Sequence, residues 1–391
     1  MARLLTGAFA LICLASVIIS TASAEETTVK VDFKGSKLSG GYIDSESAGT
    51  NPNGSYVMPE GKLRINGTLT PDIKVITRMT LNNPNVLAMD YLYVDYTNFL
   101  SSIVAPSLKG SAFDPMLRVG LFKVDIGEET WGNNLVDAAT GQPSATNTGA
   151  YDEGFQLSQV LPKDKLGIPV KWAVSFTNGN SGSGVDTTPA KALCIKVAAN
   201  PINELYASLS HYNSGDLGTA AAAMSFAGLS ARPTNSTQWT RTITELDLRY
   251  DIQPGKEKRL EPGMPVMSDS KAFFRLAYGQ FKDDGKDTVT PIVSVTDREG
   301  SYYFVEGTYN PIPKVYLAAR YSNVGFDKST VYATLNSCNC NSYTRTTVCV
   351  GYRLTDNTHI KLDYTTNAED VASGTAAYKN NQFGLLVTTT F

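Results

Sequence analysis

Ala272-Phe273-Phe274-Arg275-Leu276-Ala277-Tyr278-Gly279 sets Arg275 among residues whose even positions are all apolar. Successive side chains of a strand point to opposite faces, so this octet reads as a strand with one apolar and one polar face. The pattern recurs in both directions along the chain. Val170, Trp172, Val174 and Phe176 alternate with Lys171, Ala173, Ser175 and Thr177, and Leu246, Leu248 and Tyr250 alternate with Glu245, Asp247 and Arg249. Residues 303–309, 315–321, 347–354 and 360–365 repeat it. Helical spacing fits none of these segments.

Charge sharpens the reading. Lys171, Glu245, Asp247, Arg249, Arg275, Glu306, Arg320, Arg353, Lys361 and Asp363 all fall on the polar parity, and the apolar parity carries no charge. A soluble β-sandwich would also alternate. However, Tyr250, Tyr278, Tyr309, Tyr321, Tyr352 and Tyr364 stand toward the ends of the apolar rows. Tyr favours a site where its ring meets hydrocarbon and its hydroxyl meets water, which describes a membrane interface. A lipid-facing Lys or Arg costs about 2–4 kcal/mol at the bilayer midplane, enough to keep the outer row uncharged. The alternation therefore predicts an all-β, transmembrane antiparallel β-barrel.

Its strands are expected at 27–34, 61–69, 73–82, 87–97, 115–126, 152–160, 168–178, 190–200, 204–213, 239–251, 271–282, 299–310, 314–324, 342–354, 358–367 and 381–391. Those sixteen strands would be joined alternately by short periplasmic turns and long outer loops. Thr70-Pro71-Asp72, Asn200-Pro201-Ile202-Asn203, Asn310-Pro311-Ile312-Pro313 and Thr355-Asp356-Asn357 supply turn chemistry. Residues 178–189, 213–239, 282–298, 324–341 and 367–380 read as the long loops, with a short helix conceivable at 217–231. The Pro- and Lys-rich connection 251–270 departs from the rule on the inner side.

Composition closes off other classes. The chain has 391 residues, 18% of them charged, and a formal net charge of -3 without a basic stripe, which speaks against nucleic acid as a partner. Arg3, an apolar stretch 4–19 and Ala22-Ser23-Ala24 form a secretory signal peptide, 1–24, leaving 25–391 as a single outer-membrane barrel domain. Beyond the signal no run of about 18 apolar residues remains to make a membrane helix. No nucleophile elbow, zinc helix or phosphate-binding Gly-Lys loop is present, so the sequence points away from an enzyme and names no catalytic residue or cofactor. His211 lies on the apolar parity at a strand end and His359 opens a strand, so a Ser–His hydrolase has little support. Cys338-Asn339-Cys340 lacks further ligands at metal-binding spacing. Of the cysteines beyond the signal, Cys194 and Cys349 have inward parity; Cys338 or Cys340 is expected to bridge, with Cys349 the favoured mate.

The chain ends Phe383-Gly384-Leu385-Leu386-Val387-Thr388-Thr389-Thr390-Phe391. This resembles the closing strand of outer-membrane porins, and the resemblance makes Phe391 an assembly signal. Residues Leu117-Arg118-Val119-Gly120-Leu121-Phe122-Lys123-Val124-Asp125-Ile126-Gly127-Glu128-Glu129 resemble a strand-and-bend signature of the phosphate-selective porins O and P. Asp125-Ile126-Gly127 stands where that family usually has Pro-Phe-Gly. The resemblance implies a homotrimeric, water-filled channel for ions and small hydrophilic solutes in the bacterial outer membrane, surrounded by lipid. It adds Arg118 to the ten parity-assigned charges as pore-lining groups. It also implies that the third outer loop, about 127–151, folds inward and brings Glu128, Glu129, Trp131 and Asp137 to a constriction. An inward acidic loop would favour cations weakly, and a loop left outside would favour anions. The alternative is a barrel acting as a sleeve around a multihaem cytochrome.

Overall fold

Period-two alternation becomes wall here because each strand's backbone groups are satisfied by the next strand, and the last is satisfied by the first. The computed structural model describes residues 29–46, 54–81, 88–111, 113–129, 138–146, 148–149, 151–161, 163–181, 188–219, 221–253, 270–288, 295, 297–375, 377 and 380–391. The signal segment 1–24 lies outside them. Sixteen strands form the wall: β1 (Lys37–Ser45), β2 (Ser55–Thr70), β3 (Ile73–Thr80), β4 (Ala88–Tyr96), β5 (Met116–Lys123), β6 (Tyr151–Leu161), β7 (Val170–Thr177), β8 (Ala192–Ile202), β9 (Leu205–Asn213), β10 (Gln238–Ile252), β11 (Ala272–Lys286), β12 (Arg298–Ile312), β13 (Val315–Phe326), β14 (Cys338–Arg353), β15 (Thr358–Val371) and β16 (Gln382–Thr390). All neighbours pair antiparallel, and β16 closes the ring on β1 from Lys37↔Thr390 to Ser45↔Gln382. At this seam the backbones approach closely: a Cβ on Gly41 would lie 2.0 Å from the carbonyl of Leu385.

The barrel is inside-out relative to a soluble fold. Leu246, Tyr250, Phe274, Val305, Tyr309, Leu317 and Val350 are 40–50% exposed on its outside, whereas Arg275, Glu306 and Arg320 on its inside are at most 3% exposed. All six row-end tyrosines face outward. That distribution suits hydrocarbon outside and polar filling within. Among the described residues, no helix is long and apolar enough to cross a membrane.

Three expectations about the wall are corrected. The first strand is Lys37–Ser45, not 27–34; among the described residues of that segment Lys30–Asp32 pairs, against Asn66–Thr68 of β2. Gly40 and Gly41 dilute the alternation of the true strand. Residues 97–115 form a second long connection at the short-turn end, carrying α1 (Phe99–Ile103) and a 3-10 turn at Pro106–Leu108. Gln159 of β6 holds it through the Ser111 carbonyl at 2.7 Å. Among its described residues, 217–231 contains no helix. Leu217–Gly218 pairs with β10, and Ser225–Phe226 pairs with Thr148–Gly149 of the third outer loop.

The expected disulfide is also absent. Cys194, Cys338, Cys340 and Cys349 are free and buried. Strand β14 starts at Cys338 instead of 342, so Cys340 and Cys349 sit on one strand, nine residues apart. At about 3.4 Å per residue that is roughly 30 Å, far beyond disulfide reach.

Candidate functional site

After β5 the chain does not leave the barrel. Val124, Asp125, Ile126, Glu128 and Glu129 are 1–4% exposed because they turn into the lumen and meet the inner wall. Asp125 accepts from Lys196 of β8 at 3.0 Å and faces Lys171 of β7 at 3.2 Å. Lys196 also donates to the Gly127 carbonyl at 2.8 Å. Gly127 donates to Ser210 of β9 and Glu128 donates its N–H to Asp247 of β10, each at 3.1 Å. Gly127 has a φ of +57, and a Cβ there would lie 2.2 Å from Glu245 Oε1. Only glycine fits this crossing without a shift.

The Glu128 carboxyl sits where water is excluded. Burial, and next the Asp247 carboxylate, push it up to about 7. Glu129 has a different environment. It accepts from the Ser144 N–H at 3.0 Å, from Thr146 Oγ1 at 2.6 Å and from the Ser144 hydroxyl, and Arg320 of β13 stands 3.7 Å away. Glu129 thus clamps the outgoing arm of the loop to its returning arm.

That returning arm, 138–146, is pinned on the far side. Lys361 of β15 donates to the Ala138 carbonyl at 2.6 Å, Arg320 to Gln142 at 3.2 Å, and Arg345 of β14 to Pro143 at 3.0 Å. Ala145 donates to Ser322 of β13 at 2.8 Å. Gly141 packs so closely on Asp363 that a Cβ would sit 2.0 Å from its Oδ2. The loop therefore crosses the lumen from β7 to β15. Trp131 and Asp137 lie outside the described residues.

The charges singled out by parity all stand on the inner face, and most are engaged. Lys171, Asp247, Arg320, Lys361 and Asp363 meet the loop, while Glu245 accepts from the Tyr302 hydroxyl at 2.5 Å. Glu306 is held between Arg275, at 2.6 Å, and Arg320. Arg249 pairs with Asp251, and Arg353 bonds Pro313 and Asn310. Arg118 makes a two-pronged contact with Asp95 of β4 at 2.7 and 2.9 Å.

Open space lies on the other side of the loop. A cavity of about 650 Å³ runs along β2 to β7, where Arg64, Arg118, Lys123 and Lys171 face Asp95, Asp114 and Asp125, with Tyr91 and Tyr93 between. Arg64, Lys123, Asp95 and the two tyrosines were not selected from the sequence. Their signal was available: Lys62, Arg64 and Asn66 alternate with Leu63 and Ile65. Among the described residues, no group of three or more His, Cys, Asp or Glu is placed to hold a metal ion.

No family model matches the chain, and no curated protein does either. Solved structures do. The outer membrane channel DcaP of Acinetobacter baumannii aligns at a TM-score of 0.60 and 14% identity, over 94% of this chain and 99% of that one. OmpT of Vibrio cholerae, in a trimer form, aligns at 0.57 and 14%, over 93% and 100%. The anion-selective porin of Comamonas acidovorans aligns at 0.56 and 11%, also over 93% and 100%. At such identities the likeness is one of fold: a sixteen-stranded barrel shared with outer-membrane porins and channels. The resemblance to the phosphate-selective porins stays with residues 117–129 alone.

Proposed function

We propose that this chain, exported and inserted in the outer membrane as a homotrimer, is a porin that passes small hydrophilic ions and solutes by diffusion. One observation carries the reading: the chain's own loop crosses the lumen and leaves a charged cavity beside it. A sleeve for a cytochrome needs an empty lumen, and arms 124–129 and 138–146 occupy it.

Selectivity follows from which charges reach water. The acidic loop suggested cation preference, but Asp125 is matched by two lysines, Glu128 is held toward its neutral form and Glu129 faces Arg320. The cavity presents four basic groups against three acidic ones. Exposed charges beyond about 8 Å are largely screened at physiological salt, so this local wall decides. We therefore assign a weak anion preference, without the unpaired arginine cluster that a phosphate site requires. The experiment is single-channel recording in a planar bilayer, with the reversal potential read across a KCl gradient. Weak anion preference, moved toward cations by Arg64→Glu, is expected. A silent protein overturns the channel; a strong cation preference overturns the assignment of its wall.

A further inference from the structure

The outer wall carries a feature that conduction does not use. At the short-turn end, β12 and β13 place Gly307 and Ala319 side by side, with Ala272 of β11 one rung nearer the strand end, in register through Phe274↔Gly307↔Ala319 and Ala272↔Tyr309↔Leu317. Larger side chains rise around these small ones: Phe274, Tyr309, Leu317 and Ile252, each 40–50% exposed. The result is a lipid-facing groove of about 500 Å³.

The groove has a charged end. Lys271 reaches over the Tyr309 ring, 5.1 Å from its centre, and donates to the Pro311 carbonyl at 3.0 Å. An ammonium has three donors, and this contact uses one. Lys314, on the turn after β12, is exposed at the same end of the barrel. An apolar channel running from a basic terminus into the hydrophobic band matches an amphiphile with an anionic head.

We propose that this groove binds one glycerophospholipid of the periplasmic leaflet, its acyl chain over Gly307 and Ala319 and its phosphate at Lys271. The proposal rests on insertion of the barrel in the membrane, and not on conductance. The test is native mass spectrometry of protein extracted from membranes in mild detergent, with phosphorus assay of bound lipid. The wild-type chain is expected to retain a phospholipid. Gly307→Leu with Ala319→Leu, which keeps the outer face apolar, should abolish retention. Lys271→Gln should lower retention about fivefold, the effect of one basic charge at a lipid surface. Resistance of each variant to unfolding in cold SDS reports that the barrel has formed.

Lipid-free wild-type protein from membranes overturns the inference while leaving the channel intact. Equal retention in folded variants also overturns it. So does dissociation of the oligomer by the leucine pair with lipid unchanged, because that outcome seats a second copy of the chain in the groove. Retained lipid in a protein that does not conduct supports the groove and removes the channel.

Discussion

Glu128 is buried against Asp247, and its proton links loop position to pH. Its carboxyl is raised from the ordinary 4.5 to about 7 by burial first and Asp247 second. Between those values the folded chain keeps a proton that the unfolded chain has released, so stability falls as pH rises. Its contribution is fully present below about pH 4.5 and gone above about pH 7. Urea unfolding of the folded barrel should therefore show a midpoint that declines through this window, and Glu128→Gln should flatten the decline. An unchanged slope in the variant would place the proton elsewhere. The inner charges were legible because parity exposes them: a carboxylate or guanidinium cannot stand on the lipid row. Their partners were not legible. Lys361 meets Ala138, and Arg320 meets Gln142 and Glu129, only because the ring brings distant strands around one loop.

The crossing loop has no strand along its described arms 124–129 and 138–146, and its position depends on side chains of the wall. Lys196 is the buried anchor of its outgoing arm, at 2% exposure, bonding both Asp125 and the Gly127 carbonyl. Breaking one partner of a buried ion pair costs about 3–5 kcal/mol, since the remaining charge stays desolvated. Lys196→Met should loosen the outgoing arm, raise mean conductance, add noise to single-channel traces and open the 124–146 region to protease. Unaltered conductance with full protease resistance would show that the returning arm alone holds the loop. Most strands were visible as alternation, including β7, β10 to β13 and β15. The β1 strand was obscured by paired glycines, and the start of β14 by Cys338-Asn339-Cys340, whose small polar residues resemble loop. The connection 97–115 has no turn motif announcing which end it occupies. It was recognisable only from strand direction.

For the whole molecule, the last residue meets the segment that leads into β1. The Phe391 carbonyl accepts from Gly35 at 2.7 Å and from Ser36 at 3.1 Å, and its N–H donates to Ser36 at 3.0 Å, while its ring is 59% exposed on the outside. Deleting Phe391 removes these bonds together with the aromatic end that resembles an assembly signal. The shortened chain should accumulate in the periplasm as a protease-sensitive species, with little heat-modifiable barrel in the membrane fraction. A deletion variant recovered as a folded, SDS-resistant barrel at wild-type yield would show that closure does not depend on the last residue. The seam between Lys37 and Thr390 joins the first and last strands of the wall. Contacts between such distant positions form slowly, because the intervening chain must be ordered before they gain anything. Until then the other fifteen pairings can exist as an open ribbon with β1 and β16 as bare edges, each a template for a neighbour's strand. The lifetime of that ribbon, more than the stability of the finished ring, sets how much chain is lost to aggregation. Gly41, by letting the edges approach, acts on that lifetime.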